Sequence, residues 1–570
     1  MHRRWLLKRT NPEYIEYLSR STGITPALAQ ILVNREIKTP EEVLEFMNPG
    51  IESMCDPFDI EGMGTLVETV LAARDRGTKV FVHGDYDADG LTATSIMVGA
   101  LRRLGLDASY HIPNRFHSGY GFHPRAVEEA RELGAGLIIT VDCGVTAFEA
   151  AEAAKASGIG LIITDHHEAS AEVLDAEGRS KLPEALTIVN PKLSAPGASV
   201  SGLSGAGIAL KVVQALAMKD PSVDPRDFLD LATLGTLADS VPLRGENRAI
   251  VKEGMPRLID AQRPGIMALK EVANLNSRKL DARLTTFVLV PRINAAGRLG
   301  DASEVVELML TDSEKRAAEI ARSLQGKNSE RQKQEEAVLE EALKMVDEEG
   351  YGPAIVIAGE GWNEGVVGIV ASRLVDAFQR PSFVMSIKDG VAKGSARSVP
   401  GFDIHAALAE ASEYLIGFGG HKQAAGLRLN ASELDAFRKK MEAIAAVQME
   451  EFTPVLEIDA EVDLKDVTFA LVNELDALAP FGYGNPEPVL GARDLEVINA
   501  RVVGNNHLKV KLRAGNCAHD AIGWGMGALA EFASTEGRVD AAFAATVNEW
   551  NGSKLVQLNL KGLRGSQNEN

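Results

Sequence analysis

The chain has 570 residues, with 60 Lys plus Arg against 80 Asp plus Glu and a formal net charge of −20. Overall charge therefore cannot hold a polyanion, which would need local basic patches or bound cations. The length suggests three or four domains at about 100–200 residues each. Cys55, Cys143 and Cys517 are too scattered for a disulfide framework or a zinc ribbon. No run approaches the ~18 apolar residues of a membrane span, and Trp5-Leu6-Leu7 is too short an apolar core for a signal peptide. These exclusions predict a soluble cytoplasmic protein without membrane contact.

Residues 1–57 read as a polar helical appendage. Within it Thr39-Pro40-Glu41-Glu42 marks a helix start, with Thr39 as N-cap, Pro40 in the first turn and Glu42 completing a capping box. Residues 58–310 read as one α/β domain, in which short apolar strands alternate with Ala-rich helices from about 58 to 250. Strands are expected over 79–83, 137–141 and 161–164 and a helix over 148–157, the pattern of a parallel sheet covered by helices.

Polar residues follow each of these strands at once: His83, Asp85, Asp87 and Asp89 the first, Asp142 the second, and Asp165-His166-His167 the third. In an open parallel sheet ligands bind at the carboxyl ends of strands, so separate segments converge on one edge. Carboxylates about 4 Å apart repel by roughly 4 kcal/mol near a protein surface. Either these acids diverge, as in a solvated acidic turn, or a cation sits among them. Asp85-x-Asp87-x-Asp89-Gly90 also matches the opening of a calcium EF-hand, but position twelve, which needs a bidentate Glu, is Ile96, and the motif follows a strand. Asp239, after an expected helix over 228–237, reads by itself as a routine helix-end aspartate.

Residues 311–350 are a charged connecting helix, with a break suggested by Gly326 and Ser329-x-x-Gln332. A smaller α/β domain is expected over 351–452. It carries Lys393-Gly394-Ser395-Ala396-Arg397-Ser398 and Gly419-Gly420-His421-Lys422, which suit phosphate binding by backbone amides and equally suit Gly-rich turns. From 453 to 570 the chain becomes strand-rich, with a hairpin signal at Glu549-Trp550-Asn551-Gly552-Ser553. Lys509, Lys511 and Arg513 share one face of a strand by the period of two. A small barrel with a basic face is what single-strand binders of the OB type present, although an ordinary half-exposed strand gives the same pattern.

With these residues in place, the chain resembles the DHH phosphoesterase family and, within it, the RecJ exonucleases of single-stranded DNA. His83-x-x-x-Asp87-x-Asp89, Asp142, Asp165-His166-His167 and Asp239 match the family's four motifs in order. Further motifs are Ile112-Pro113-Asn114-Arg115 with Gly119-Tyr120-Gly121, the run from Pro291 to Arg298, and Pro480-Phe481-Gly482-Tyr483-Gly484-Asn485-Pro486. The resemblance implies a DHH domain, a DHHA1 domain and a C-terminal OB barrel. It implies that His83, Asp87, Asp89, Asp142, His166 and Asp239 ligate two divalent ions, that Asp142 bridges them, and that Asp85 is a further ligand or outer acid. His167 would lie near the scissile phosphate, oriented by Asp165, with Arg298 also catalytic. Arg115, Tyr120, Arg292, Asn294, Ser395, Arg397, Gly420 and His421 would contact the nucleic acid.

An oxygen-rich ligand set with few imidazoles favours Mn2+ or Mg2+ over zinc. Digestion from the 5′ end, roles in recombination and repair, and single-strand-binding protein and a helicase as partners are implied by the resemblance alone; the sequence leaves the oligomeric state open, with a monomer favoured. Asn363 departs from it, since a histidine usually follows the tryptophan there. The rival readings are a DHH phosphoesterase of short oligonucleotides or cyclic dinucleotides, and a non-catalytic single-strand-binding scaffold.

Overall fold

The computed structural model describes residues 3–8, 10–114, 121–170, 174, 180–193, 200–276, 280–449, 454–550 and 553–566. The first domain is built on a five-stranded, all-parallel sheet in the spatial order Ala108–His111, Val80–His83, Leu137–Val141, Gly160–Thr164, Thr187–Val189. Its central strands are buried along nearly their whole length because both faces are covered. Val80, Val82 and Ile139 join one core with helices Ala88–Arg103, Gly205–Ala217 and Leu229–Ala238. Phe81, Ile138 and Leu161 join a second with Pro124–Glu132 and Phe148–Ala156.

The connecting helix runs unbroken over Glu314–Glu349, 36 residues, which corrects the break expected at Gly326. A single exposed glycine destabilises a helix by only about 1 kcal/mol, and both halves are anchored. Ala317, Ile320, Ala321 and Leu324 pack into the first domain, and Val338, Ala342 and Val346 into the second. Ser329 caps nothing; its Oγ accepts from Gln325 Nε2 at 3.1 Å.

The second domain's sheet is ordered Gly417–Gly420, Ala424–Asn430, Val391–Arg397, Ser382–Lys388, Ile355–Glu360, with only the last pair parallel. The C-terminal strands Leu490–Val503, His507–Ala514, Cys517–Gly523, Ser553–Gly565 and Arg538–Trp550 form a ring closed by pairing of the first with the last. Pairing in the last hairpin extends to Trp550 opposite Ser553, as expected, while 551 and 552 of its turn lie outside the described residues.

The N-terminal segment is no appendage. Arg4–Leu7 pairs in parallel with Val455–Ile458, and Leu18, Leu28, Ile31, Leu32 and Val43 share a core with the barrel residues Leu490, Leu508, Val510 and Phe543. Three short helices cannot bury their apolar stripes alone, and the barrel end supplies the missing surface. The capping box at Thr39 and Glu42 is present as expected.

Barrel, N-terminal helices and first domain are joined around a buried guanidinium. Arg248, 1 % exposed, donates from Nε to Phe46 O at 2.8 Å and from Nη1 to Leu478 O at 2.8 Å. It thereby satisfies carbonyls at the ends of two helices from distant parts of the chain. The loop carrying Asn485 closes on the same joint: Leu243 N donates to Tyr483 O at 2.8 Å, and Arg35 donates to the Asn485 side chain.

Candidate metal centre

The loop after Val80–His83 turns straight into helix Ala88–Arg103, and Asp87 is its N-cap. One oxygen of Asp87, Oδ1, accepts from Asp89 N at 3.0 Å and Gly90 N at 3.1 Å. Gly90 is required by close approach, since a Cβ there would lie 2.7 Å from that of Asp85. Asp89 is buried yet charge-compatible: its carboxylate accepts from Gly205 N at 2.6 Å and Ala206 N at 2.9 Å, at the start of helix Gly205–Ala217, where unpaired amides and the helix dipole favour an anion. Asn294 Oδ1 accepts from Ala88 N at 2.8 Å, which steadies the same turn.

Asp142 adopts a left-handed backbone, φ +61°, immediately after Leu137–Val141. This conformation is uncommon outside glycine, and Asp and Asn are among the few residues that tolerate it. Its carboxylate lies against Gly205, where a Cβ would come within 2.5 Å of Oδ1. Asp165 organises the third segment. Oδ1 accepts from His166 N at 2.8 Å and contacts His167 Nδ1 at 2.7 Å, and Oδ2 accepts from Val145 N at 2.8 Å. Asp239 caps the C-terminal end of Leu229–Ala238.

The folded chain brings these together as three overlapping clusters, in each of which the ligand atoms lie within 4.8 Å of one another: Asp85, Asp87, Asp142; Asp89, His166, Asp239; and Asp142, His166, His167. Asp142 is shared between the first and third, and His166 between the second and third. His166 Nε2 stands 3.0 Å from Asp142 Oδ1, 3.7 Å from Asp239 Oδ2 and 3.9 Å from Asp89 Oδ2. His83 belongs to none of the three. It is buried at the end of its strand, its ring stacked 5.3 Å from that of His111 and its Nε2 3.3 Å from Gly121 O.

The charge state favours a cation. Burial and then the neighbouring carboxylates push Asp142 well above the usual carboxylate range, and burial with Asp239 and Asp87 does the same to Asp89. Burial lowers His83 to about 3 and His166 to about 4, so both imidazoles are neutral and each has a lone pair to offer. His167 is the opposite case: burial works against its charge, but the bond and charge of Asp165 lift it to about 9. Asp165, despite the same burial, is held below the ordinary range by His167. Among the described residues, His83 Nδ1 and Asp142 Oδ1 are buried without an aligned hydrogen bond, although His166 Nε2 stands 3.0 Å from the latter. In a native interior such atoms need an explanation, and a divalent ion held here would supply one.

Sequence reasoning missed the glycines that let these acids converge. Gly205 faces Asp142, and a Cβ at Gly235 would lie 2.6 Å from Asp89 Oδ1. Their signal was the small-residue run Ser204-Gly205-Ala206-Gly207 at a helix start, readable only once a helix N-terminus is known to face the acids.

The expected nucleic-acid residues divide. Arg298 Nη1 donates to Gly365 O at 2.8 Å, and a Cβ at its neighbour Gly297 would lie 2.5 Å from Tyr86 O, so this pair links the Asp85–Asp87 turn to the second domain. Just beyond, a Cβ at Gly368 would lie 3.1 Å from Ser395 Oγ and 3.2 Å from Arg397 Nη2. Ser395 and Arg397 therefore flank the start of helix Val367–Phe378. Asn363 shapes the same entry, accepting from Gly365 N and donating to Gln334, both at 2.7 Å.

Gly420 and His421 close a hairpin. Gly420 has φ +139° and no room for a Cβ beside Ala424 O, and His421 is exposed. Arg292 is turned into the protein, bonded to Gln325 Oε1 at 2.7 Å and to Val288 O. Lys509, Lys511 and Arg513 do alternate with buried Leu508, Val510 and Leu512, but Arg513 is paired with Glu496 across the strands. Arg115 and Tyr120 lie outside the described residues.

Comparison with known proteins agrees with this arrangement. Family profiles match at 79–236 (DHH family, N-terminal domain), 351–446 (DHHA1 domain) and 458–562 (RecJ OB domain). The chain is 37 % identical over 565 residues to the single-stranded-DNA-specific exonuclease RecJ of Bacillus subtilis, covering 98 % of this chain and 70 % of that one. Among solved structures, Thermus thermophilus RecJ in complex with Mn2+ superposes with a TM-score of 0.85 at 30 % identity, over 99 % of this chain and 80 % of that one. Its Mg2+ complex gives 0.79 at 29 %, over 99 % and 79 %.

Proposed function

The chain belongs to the RecJ family, and from that premise we propose that it is a divalent-metal-dependent exonuclease hydrolysing single-stranded DNA from its 5′ end. The observation that carries this reading is the trio of overlapping acid and histidine clusters, with Asp142 common to two of them. His83, Asp85, Asp87, Asp89, Asp142, His166 and Asp239 would hold the ions, Asp142 from a position between them. When bound, a pair of Mn2+ or Mg2+ ions supplies an activated water and offsets the charge that builds on the phosphate oxygens.

The chain's own residues do the rest. His167, oriented by Asp165 through the 2.7 Å contact at Nδ1, would turn its other ring nitrogen to the phosphate. Arg298 ties the Tyr86 turn to Gly365, so that Ser395 and Arg397 at the next helix start present donors to the strand backbone. The domains of this reading run over 58–310, 351–452 and 453–570, joined by the helix of 311–350, with 1–57 applied to the barrel. A cytoplasmic monomer acting in recombination and repair beside a single-strand-binding protein and a helicase completes it. No helix among the described residues is long and apolar enough to cross a membrane.

The test is digestion of single- and double-stranded DNA, labelled at either end, with Mn2+ or Mg2+. Immediate release of the 5′ label as mononucleotide, from single strands only, is expected; first release from the 3′ end would refute the polarity. A phosphoesterase of dinucleotides needs no barrel, so a preference for a dinucleotide over a long strand would favour that rival.

A further inference from the structure

A groove of about 520 Å3 lies where the barrel meets the first domain. It is lined by Arg283 from the first domain and by Trp524, Thr546, Asn548, Gln557 and Asn559 from the barrel. Trp524 is 65 % exposed, unusual for so large an apolar ring. It is nonetheless held in place: its ring meets that of His507 edge-on at 4.8 Å, and Gly525 N donates to His507 Nδ1 at 3.0 Å.

The polar wall is neutral and interlocked. Asn548 Nδ2 donates to Gln557 Oε1 at 3.4 Å and Asn559 Nδ2 to Thr546 Oγ1 at 3.2 Å. Among the described residues this leaves Gln557 Nε2 and the two asparagine carbonyl oxygens for another molecule. Arg283, exposed and without a carboxylate partner among those residues, is the single cation. Its segment is continuous with the metal centre: Thr286 Oγ1 donates to Leu237 O at 3.1 Å, two residues before Asp239, and Phe287 beside it is 72 % exposed.

Resting on the single-strand reading above, we infer that this groove is a base-binding station on the substrate path, where one nucleobase stacks on Trp524, its edge meets the amides of Asn548, Gln557 and Asn559, and Arg283 holds the adjoining phosphate. An exposed indole bordered by amides and one arginine matches a nucleotide with its base turned inward, because every base has a π-face and an edge of mixed donors and acceptors. A duplex hides those faces, so such a station also selects for single strands. The strand carrying Lys509 and Lys511 would then hold backbone, since its one ring, His507, is turned onto Trp524.

The test measures binding of a phosphorothioate oligo(dT), with Mn2+ present, through intrinsic tryptophan fluorescence and salt titration. Trp524→Ala is expected to weaken binding about tenfold, the factor typical of one lost base stack, and to abolish most of the quenching. Trp524→Phe should recover most of the affinity, and Arg283→Ala should weaken binding with a shallower salt slope. Replacing the bases by abasic residues should remove the same factor from the wild type and none from Trp524→Ala. Wild-type affinity in Trp524→Ala, with digestion of single strands intact, overturns the station alone and leaves the groove to a protein partner. A wild type that neither binds nor digests single strands overturns the proposed function, and the station with it.

Discussion

Asp142→Asn should make the metal-free protein more stable and the metal-loaded protein less so. Asp142 is 3 % exposed, and its nearest carboxylate neighbours present oxygens within 4.8 Å. At an effective dielectric near 20 each such pair repels by about 3.5 kcal/mol. Because burial and these neighbours already push Asp142 well above the usual carboxylate range, proton uptake relieves much of that in the metal-free state, leaving a net gain of about 1–2 kcal/mol for the neutral amide. Asparagine keeps the shape beside Gly205 and is as tolerant of φ +61° as aspartate, so no steric term opposes the gain. The expected rise in apparent Tm in chelator is roughly 2–6 °C. With Mn2+ at about a hundred times its Kd the wild type should gain about 2.7 kcal/mol, and the variant much less, with hydrolysis abolished. Scanning calorimetry of both proteins in EDTA and in Mn2+ reads all of these. A variant less stable than the wild type in EDTA would refute the crowding argument, and one that still hydrolyses DNA would refute the bridging role of Asp142.

Asp165→Asn removes the charge that faces His167 and sets an amide NH2 either against Val145 N or against His166 N and His167 N, both of which now meet an acceptor, and should lower turnover or Mn2+ affinity about 10–100-fold, read by steady-state kinetics and calorimetric titration. Arg248→Met strips partners from the carbonyls of Phe46 and Leu478 and should destabilise the joint by about 2–4 kcal/mol, seen as a lower urea midpoint with the Mn2+ stoichiometry unchanged. Reversing charge at Lys509 and Lys511 should flatten the salt dependence of single-strand binding by about 1.4 in log–log slope. Reversal at Arg513 should add little, because Glu496 already neutralises it; an undiminished slope in the double variant would take this strand off the path.

The sequence by itself determined the sheet and the identity of the acids. Strand-length apolar runs followed at once by Asp85–Asp89, Asp142 and Asp165–His167 can place those groups only at the carboxyl ends of parallel strands, because the alternation with helices leaves no other rim for them. Even Asp239, routine as a helix-end residue, is marked by its place in the order of the motifs.

What periodicity could not reveal was contact between segments far apart in the chain. Nothing local in residues 12–47 says that their helices complete the core of a barrel built from 490–565. Nor does it say that Arg248 ties three parts together, that Glu496 cancels Arg513, or that Arg292 faces inward. Gly326 looked like a break because a local rule counts propensity, whereas apolar packing at both ends of the helix outweighs it. The same limit hid Trp524 and Arg283, 241 positions apart by their numbers and lining one groove. Local pattern records which face of an element is apolar; only the folded chain decides what that face meets, since burial and pairing are properties of space and not of order along the backbone.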